Sequence, residues 1–254
     1  MKLYDDLIRE TIALADGAVG RGAFSKSRET FEDPLWPDSG DFSLILQRDM
    51  AYELGGGSLP AVSGLFFTSD AGLVQADEIC LLGPDLPELS SDSPYARITL
   101  IRVAEGCFDG DQEAYDDLRK MEYTRYHVFP EGYMMRVSAA SMREPVRISR
   151  KALAAGLTFE KAGQLFLRGY HRHPKVEAVK MLFITLPDFP YDELEALARR
   201  GEALTSSLHR IFDNLVMDCS ACSLKPVCDQ VEGLRELHFQ VSGRSGGNLH
   251  PAKA

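Results

Sequence analysis

The chain has 254 residues, enough for one large domain or two small ones with a substantial core. Apolar residues make up 44% and charged residues 26%, which excludes a disordered chain, and no window approaches the roughly 18–20 apolar residues of a membrane-spanning helix. The formal charge of −10 argues against nucleic acid and anionic membrane as partners.

Residues 2–16 carry Leu3, Leu7, Ile8, Ile12 and Leu14 at roughly helical spacing, with Gly17 as the expected stop. Asp5 and Asp6 stand where a signal peptide would be apolar, so a cytoplasmic protein with reduced thiols is expected. Residues 19–41, with Asp33-Pro34 and Trp36-Pro37-Asp38, read as an irregular linker. Trp36 there reads as a packing anchor or a partner contact. Short β-like runs follow at Phe42–Leu46, Val62–Thr68, Glu78–Leu82 and Ala96–Val103. In the last, Thr99, Ile101 and Val103 share one face while Ile98, Leu100 and Arg102 share the other, the pattern of a strand covered on both sides. Gly55-Gly56-Gly57 lacks the Gly-Lys-Ser/Thr ending of a phosphate loop and reads as a turn.

The acidic turn Asp109–Asp111 lacks the other ligands of a calcium loop and is expected to cap a helix running to about Met121. Strands fit Tyr126–Phe129, Tyr133–Ser138 and Val146–Ser149. Ser149 can cap a brief helix that Gly156 ends, and Thr158 another to about His171. His171 and His173 read as exposed helix-end residues rather than a metal pair. Val176–Leu186 is expected as a buried strand and Tyr191–Leu215 as a long amphipathic helix. The fold class is therefore α/β or α+β: a mixed sheet, flanking helices and a small C-terminal metal-cluster appendage. The expected division is residues 1–41, 42–215 and 216–254.

That appendage holds the most informative residues. Cys219-Ser220-Ala221-Cys222 followed by Cys228 sets three thiols in ten residues, a poor disulfide framework in a reducing compartment and a good metal-binding one. An iron–sulfur cluster and a structural zinc both take four protein ligands. His238 is the nearby fourth donor; Cys80 or Cys107 can approach from elsewhere. Three readings stand: a [4Fe-4S] cluster, a zinc site, and metal-free thiols or a redox pair. The stretch Arg119–Lys180 carries 13 Lys and Arg against 5 Asp and Glu, a net of +8. It reads as an attractor of an anionic ligand or as a solvated face. No His-Glu-x-x-His occurs, so zincin chemistry finds no support.

Four stretches, in order, resemble the β subunit of the CO dehydrogenase/acetyl-CoA synthase complex. Arg48-Asp49-Met50-Ala51-Tyr52-Glu53-Leu54-Gly55-Gly56 is similar to its Asp-Met-x-x-Glu-Phe-Gly-Gly segment. Glu78-Ile79-Cys80-Leu81-Leu82-Gly83-Pro84-Asp85-Leu86 resembles its strand ending in Ile-Gly-Pro-Asp-Ile. Arg147-Ile148-Ser149-Arg150-Lys151-Ala152 resembles its Arg-Val-Ser-Lys-Asp-Ala, and Cys219, Cys222 and Cys228 resemble the start of its cluster-binding loop. The resemblance covers about residues 42–230, the family's middle domain and the entrance to its C-terminal domain.

The resemblance implies that Cys219, Cys222 and Cys228 ligate a [4Fe-4S] cubane, with His238 where the family has a fourth cysteine. It implies coenzyme A docking on the middle domain, for which Arg136, Arg143 and Arg147 would hold phosphates. It implies partner subunits of a CO dehydrogenase, corrinoid or redox system and a role in one-carbon or electron-transfer chemistry. The family's later Cys-Gly-Cys, which binds the distal nickel, does not occur here, and the sequence ends 26 residues after Cys228. A complete nickel site, and acetyl-CoA assembly by this chain unaided, are therefore not expected. The alternative is a non-catalytic module, stabilised by zinc or iron–sulfur, that binds a protein partner or a CoA-like anion.

Overall fold

The computed structural model describes residues 2–19, 24–27, 35–41, 43–107, 112–136 and 143–212. In chain order the elements are α1 (Asp5–Val19), β1 (Phe24–Ser27), β2 (Met50–Leu54), β3 (Ala61–Thr68), β4 (Glu78–Leu82) and β5 (Tyr95–Val103). There follow α2 (Gln112–Thr124), β6 (Tyr133–Met135), β7 (Val146–Ser149), α3 (Arg150–Ala154), α4 (Phe159–Tyr170), β8 (Val176–Ile184) and α5 (Tyr191–Phe212).

A five-stranded sheet in the order β1-β4-β8-β5-β3 forms the centre, and a three-stranded antiparallel sheet, β2-β7-β6, stands beside it. The large sheet is mixed: β4 and β8 are parallel, as are β3 and β5, while β5 and β8 run antiparallel. This is the mixed α/β architecture expected, and β5 is buried along nearly its whole length, as its two apolar faces require.

Strand alternation assigns each helix a face. Ile79, Met181 and Phe183 share one side through the β4–β8 register, and Gly163 of α4 sits there; a Cβ on it would stand 2.9 Å from Ile79 Cδ1 and 3.1 Å from Phe183 Cε2. Phe66 of β3 points to the opposite face, where Gly201 of α5 rests on its ring, a Cβ there lying 2.2 Å from Phe66 Cε1. Tyr4, directly before α1, and Leu7, Ile8, Thr11, Ala15 and Ala18 within it are buried, and the Tyr4 hydroxyl bonds Thr205 Oγ1 of α5 at 2.8 Å. α1 therefore belongs to the same core as the segments after it.

The caps expected from sequence are present. Thr158 Oγ1 accepts from Lys161 N at 3.2 Å, and the Ser149 side chain accepts from Ala152 N. Gly17 does not end α1, which runs on to Val19; burial of Ala15 and Ala18 offsets the roughly 1 kcal/mol glycine penalty within a helix. The expected strand at 42–46 is absent over 43–46, because side chains satisfy that backbone: Ile45 N bonds Met134 Sδ, and Ile45 O accepts from Arg147 Nη1 at 3.1 Å. Tyr126–Phe129 is likewise no strand; Tyr126 N and His127 N bond back to Tyr123 O and Thr124 O as the chain leaves α2. The linker read at 19–41 contains β1, which pairs with β4, and β2 emerges within the Arg48–Gly56 stretch. The Asp109–Asp111 turn and the C-terminal appendage lie outside the described residues.

Candidate functional site

The small sheet gathers the three arginines expected to bind phosphate. Glu53 of β2 faces Arg147 of β7 in register, and Arg136 leaves the end of β6 beside them. Arg136 Nη1 donates to Glu53 Oε1, and Arg147 Nε lies 3.5 Å from the same oxygen. Two guanidinium groups thus share one carboxylate, leaving a local net positive charge. Arg136 is about half exposed at 48% of its side chain, Arg147 less so at 24%. A cavity of about 220 Å³ lined by Ser39, Ser43, Phe129, Tyr133 and Met134 lies on this sheet.

Arg143 does a different job. Its Nη2 donates to the carbonyls of Gly55, Gly57 and Leu59 at 3.1, 2.8 and 3.0 Å, clamping the turn after β2. Gly55 (φ +63°) is required there, since a Cβ would lie 2.3 Å from that of Ala61. The triple-glycine stretch is therefore a turn, held by an arginine whose donor is already committed to backbone oxygens.

One carboxylate ties this sheet to the large one, and a second ties the large sheet to α4. Glu144, directly before β7, is buried and accepts from Arg97 Nη2 of β5 and from Ser63 Oγ of β3 at 2.7 Å. Burial is the largest single influence and disfavours the charged Arg97, but the Glu144 carboxylate together with Tyr133, Tyr95 and Tyr170 outweighs it and raises the guanidinium pKa. The Arg97 guanidinium also lies 4.3 Å from the Phe166 ring centroid. Asp85, after β4, accepts from Leu86 N at 2.7 Å and from Phe159 N, the first residue of α4, at 2.9 Å. Gly83 before it (φ +112°) brings the backbone so close that a Cβ would lie 2.7 Å from Leu186 N. The Leu82-Gly83-Pro84-Asp85 motif is thus architectural. Sequence reasoning missed Glu53, Glu144 and Asp85. The signal for Glu144 was Arg97 inside an apolar strand, a charge that needs a buried partner.

The cluster residues Cys219, Cys222, Cys228 and His238 lie outside the described residues. What the structure fixes is the point from which that segment departs. Phe212, the last residue of α5, stacks on Tyr115 at 4.8 Å, and His209 Nε2 lies 2.8 Å from Glu122 Oε2, so α2 anchors the end of α5. Cys80 and Cys107 are buried in the core. Among the described residues no group of three or more His, Cys, Asp or Glu side chains converges as a metal site. Trp36 is an anchor: its Nε1 donates to Glu131 O at 2.9 Å, and Lys161 Nζ sits 5.2 Å from its ring centroid.

His171 and His173 are partly buried and diverge, rather than standing exposed at the helix end. His171 Nε2 bonds the Asp77 carboxylate at 2.8 Å, and His173 Nε2 bonds Thr124 Oγ1 at 2.6 Å. The Asp77 hydrogen bond raises the His171 pKa, whereas desolvation lowers that of His173. A raised folded-state pKa contributes stability that is full below the unfolded value and lost as pH climbs through the folded one. The melting-temperature advantage of wild type over His171→Gln is therefore expected to shrink between about pH 6 and pH 9. A constant or growing advantage would contradict the ion pair.

Taken together, the two sheets, the Glu53-centred arginines and the Gly-Pro-Asp tie define a mixed α/β protein. Residues 42–188, more than half the chain, match the family described as CO dehydrogenase/acetyl-CoA synthase complex beta subunit, and the chain belongs to that family. No curated protein matches the chain. No helix among the described residues is long and apolar enough to cross a membrane.

Proposed function

We propose that the protein is an acetyl-CoA-synthase-like subunit that carries a [4Fe-4S] cluster and acts in the cytoplasm. It works with partner subunits of a CO dehydrogenase, corrinoid or redox system in one-carbon or electron-transfer chemistry. The carrying observation is that one chain joins a beta-subunit match over 42–188 to the Cys219, Cys222 and Cys228 triad. The donor set fits the group: three closely spaced thiolates with His238 as fourth ligand suit a cubane, and the two described cysteines are buried away in the core. A bound cubane supplies one-electron transfer. Residues 42–215 form the acetyl-CoA-synthase-like domain, preceded by the N-terminal segment 1–41, and 216–254 form the cluster segment.

In this reading the arginines of the small sheet serve an anion of coenzyme A type. Arg136 and Arg147 meet at Glu53 with charge to spare, and Arg143 shapes the turn beside them. The proposed tests separate cluster from anion. Protein purified without oxygen is expected to show broad visible absorption that bleaches on chemical reduction. A colourless zinc protein would replace this reading by a metal-stabilised binding module. Coenzyme A binding by calorimetry is expected to weaken with salt and with Arg147→Ala. Salt-independent binding, or none, would remove the anion site while leaving the cluster.

A further inference from the structure

An open groove of about 630 Å³ runs between the outer face of α2 and the turn after α4, on a part of the molecule that the Glu53 arginines do not involve. Arg119, Lys120, Tyr123, His127, Arg172 and His173 line it. Asp116 supplies the one carboxylate of its lining. In a chain of net charge −10, this gathers basic side chains in a concave place where a polyanion would neutralise them. Lys120 shares Asp117 with Lys175, and Arg172 has no ion-pair partner among the described residues.

The walls are held in place. Thr124 and His173 join α2 to the turn after α4 at 2.6 Å, and Lys175 Nζ bonds Asp117 of α2 at 2.7 Å. The floor is tight, since a Cβ on Gly169 would lie 2.6 Å from Val128 Cγ2. A groove formed before its ligand arrives spares the ordering cost of binding. Tyr123 is among the three large apolar side chains that stand exposed among the described residues, at 51%, and its ring is braced edge-on by Tyr126 at 6.4 Å. An exposed, braced ring beside cations suits a planar heterocycle attached to phosphates. The volume lies in the few-hundred to thousand Å³ range of small-ligand sites.

We propose that this groove binds a nucleoside di- or triphosphate, with the phosphates against Arg119, Lys120 and Arg172 and the ring against Tyr123. The inference stands apart from the proposed function, and its failure would leave the cluster untouched.

Calorimetry on the full chain, with ADP and inorganic pyrophosphate as probes, tests it. ADP is expected to bind, and Arg172→Glu and Lys120→Glu are each expected to weaken it roughly tenfold or more. Tyr123→Ala is expected to weaken ADP about fivefold or more and to leave pyrophosphate unchanged. Arg199→Ala, on the exposed side of α5, is expected to change neither. Lys120, Tyr123 and Arg172 are exposed, so the melting temperatures of their variants should match wild type. Absence of ADP binding at about 1 mM, affinity that survives both charge reversals, or loss of binding in Arg199→Ala would each overturn the proposal. So would a groove that binds an acidic protein segment and no nucleotide.

Discussion

Glu144→Ala is expected to lower the stability of the fold by about 3–5 kcal/mol, because it leaves the Arg97 charge buried without its partner. Both side chains are only about 2% exposed, and Glu144 also holds Ser63 Oγ. Domains of this kind have about 5–15 kcal/mol in total, so the loss is a large fraction of what is available. The location amplifies it. Arg97 lies on β5 and Glu144 leads into β7, so the pair fastens the small sheet to the large one at the place where Arg143 and Arg147 depart. Urea denaturation of the single and double variants is the measurement. Arg97→Met combined with Glu144→Leu, which removes both charges, is expected to lie much nearer wild type than Glu144→Ala does. A single-variant loss below about 1 kcal/mol would mean that the pair is not the fastening.

The second large effect falls on the cysteine segment. Cys219→Ser, Cys222→Ser and Cys228→Ser are each expected to abolish most of the bound iron, since a cubane that loses a protein thiolate loses a quarter of its ligand set. Cys107→Ser is expected to retain iron, because that thiol is buried in the core before α2. Iron assay of the four variants, each checked for a native melting transition, distinguishes them. Equal loss in all four would remove the ligand assignment.

The residues differ in how plainly they announced their roles. Ser149 and Thr158 were legible as caps because the cap is local: an oxygen reaches a backbone N–H three residues on. The β5 strand was legible from its alternation, and the buried β8 from its apolar run. The strand expected at 42–46 failed because its apolar run is satisfied by side chains from β6 and β7, which nothing in the run itself encodes. Gly17 misled for the opposite reason: a local breaker was outweighed by distant packing. Arg136, Arg143 and Arg147 were named from the resemblance and the basic stretch, and neither encodes which contacts each one makes. Only the register of β2 with β7 brings Glu53 against Arg147, and only the tight turn at Gly55 gives Arg143 three carbonyls. The family segments proved legible as sequence and different in role: Gly83-Pro84-Asp85 ties a strand end to α4, while Glu53 organises the arginines.

The claim on which the functional reading turns is that Cys219, Cys222 and Cys228 converge on one inorganic core. Its most direct test is the iron, acid-labile sulfide and zinc content of wild-type protein prepared without oxygen. About four irons and four sulfides per chain are expected. One zinc without sulfide, or no metal at all, would contradict it.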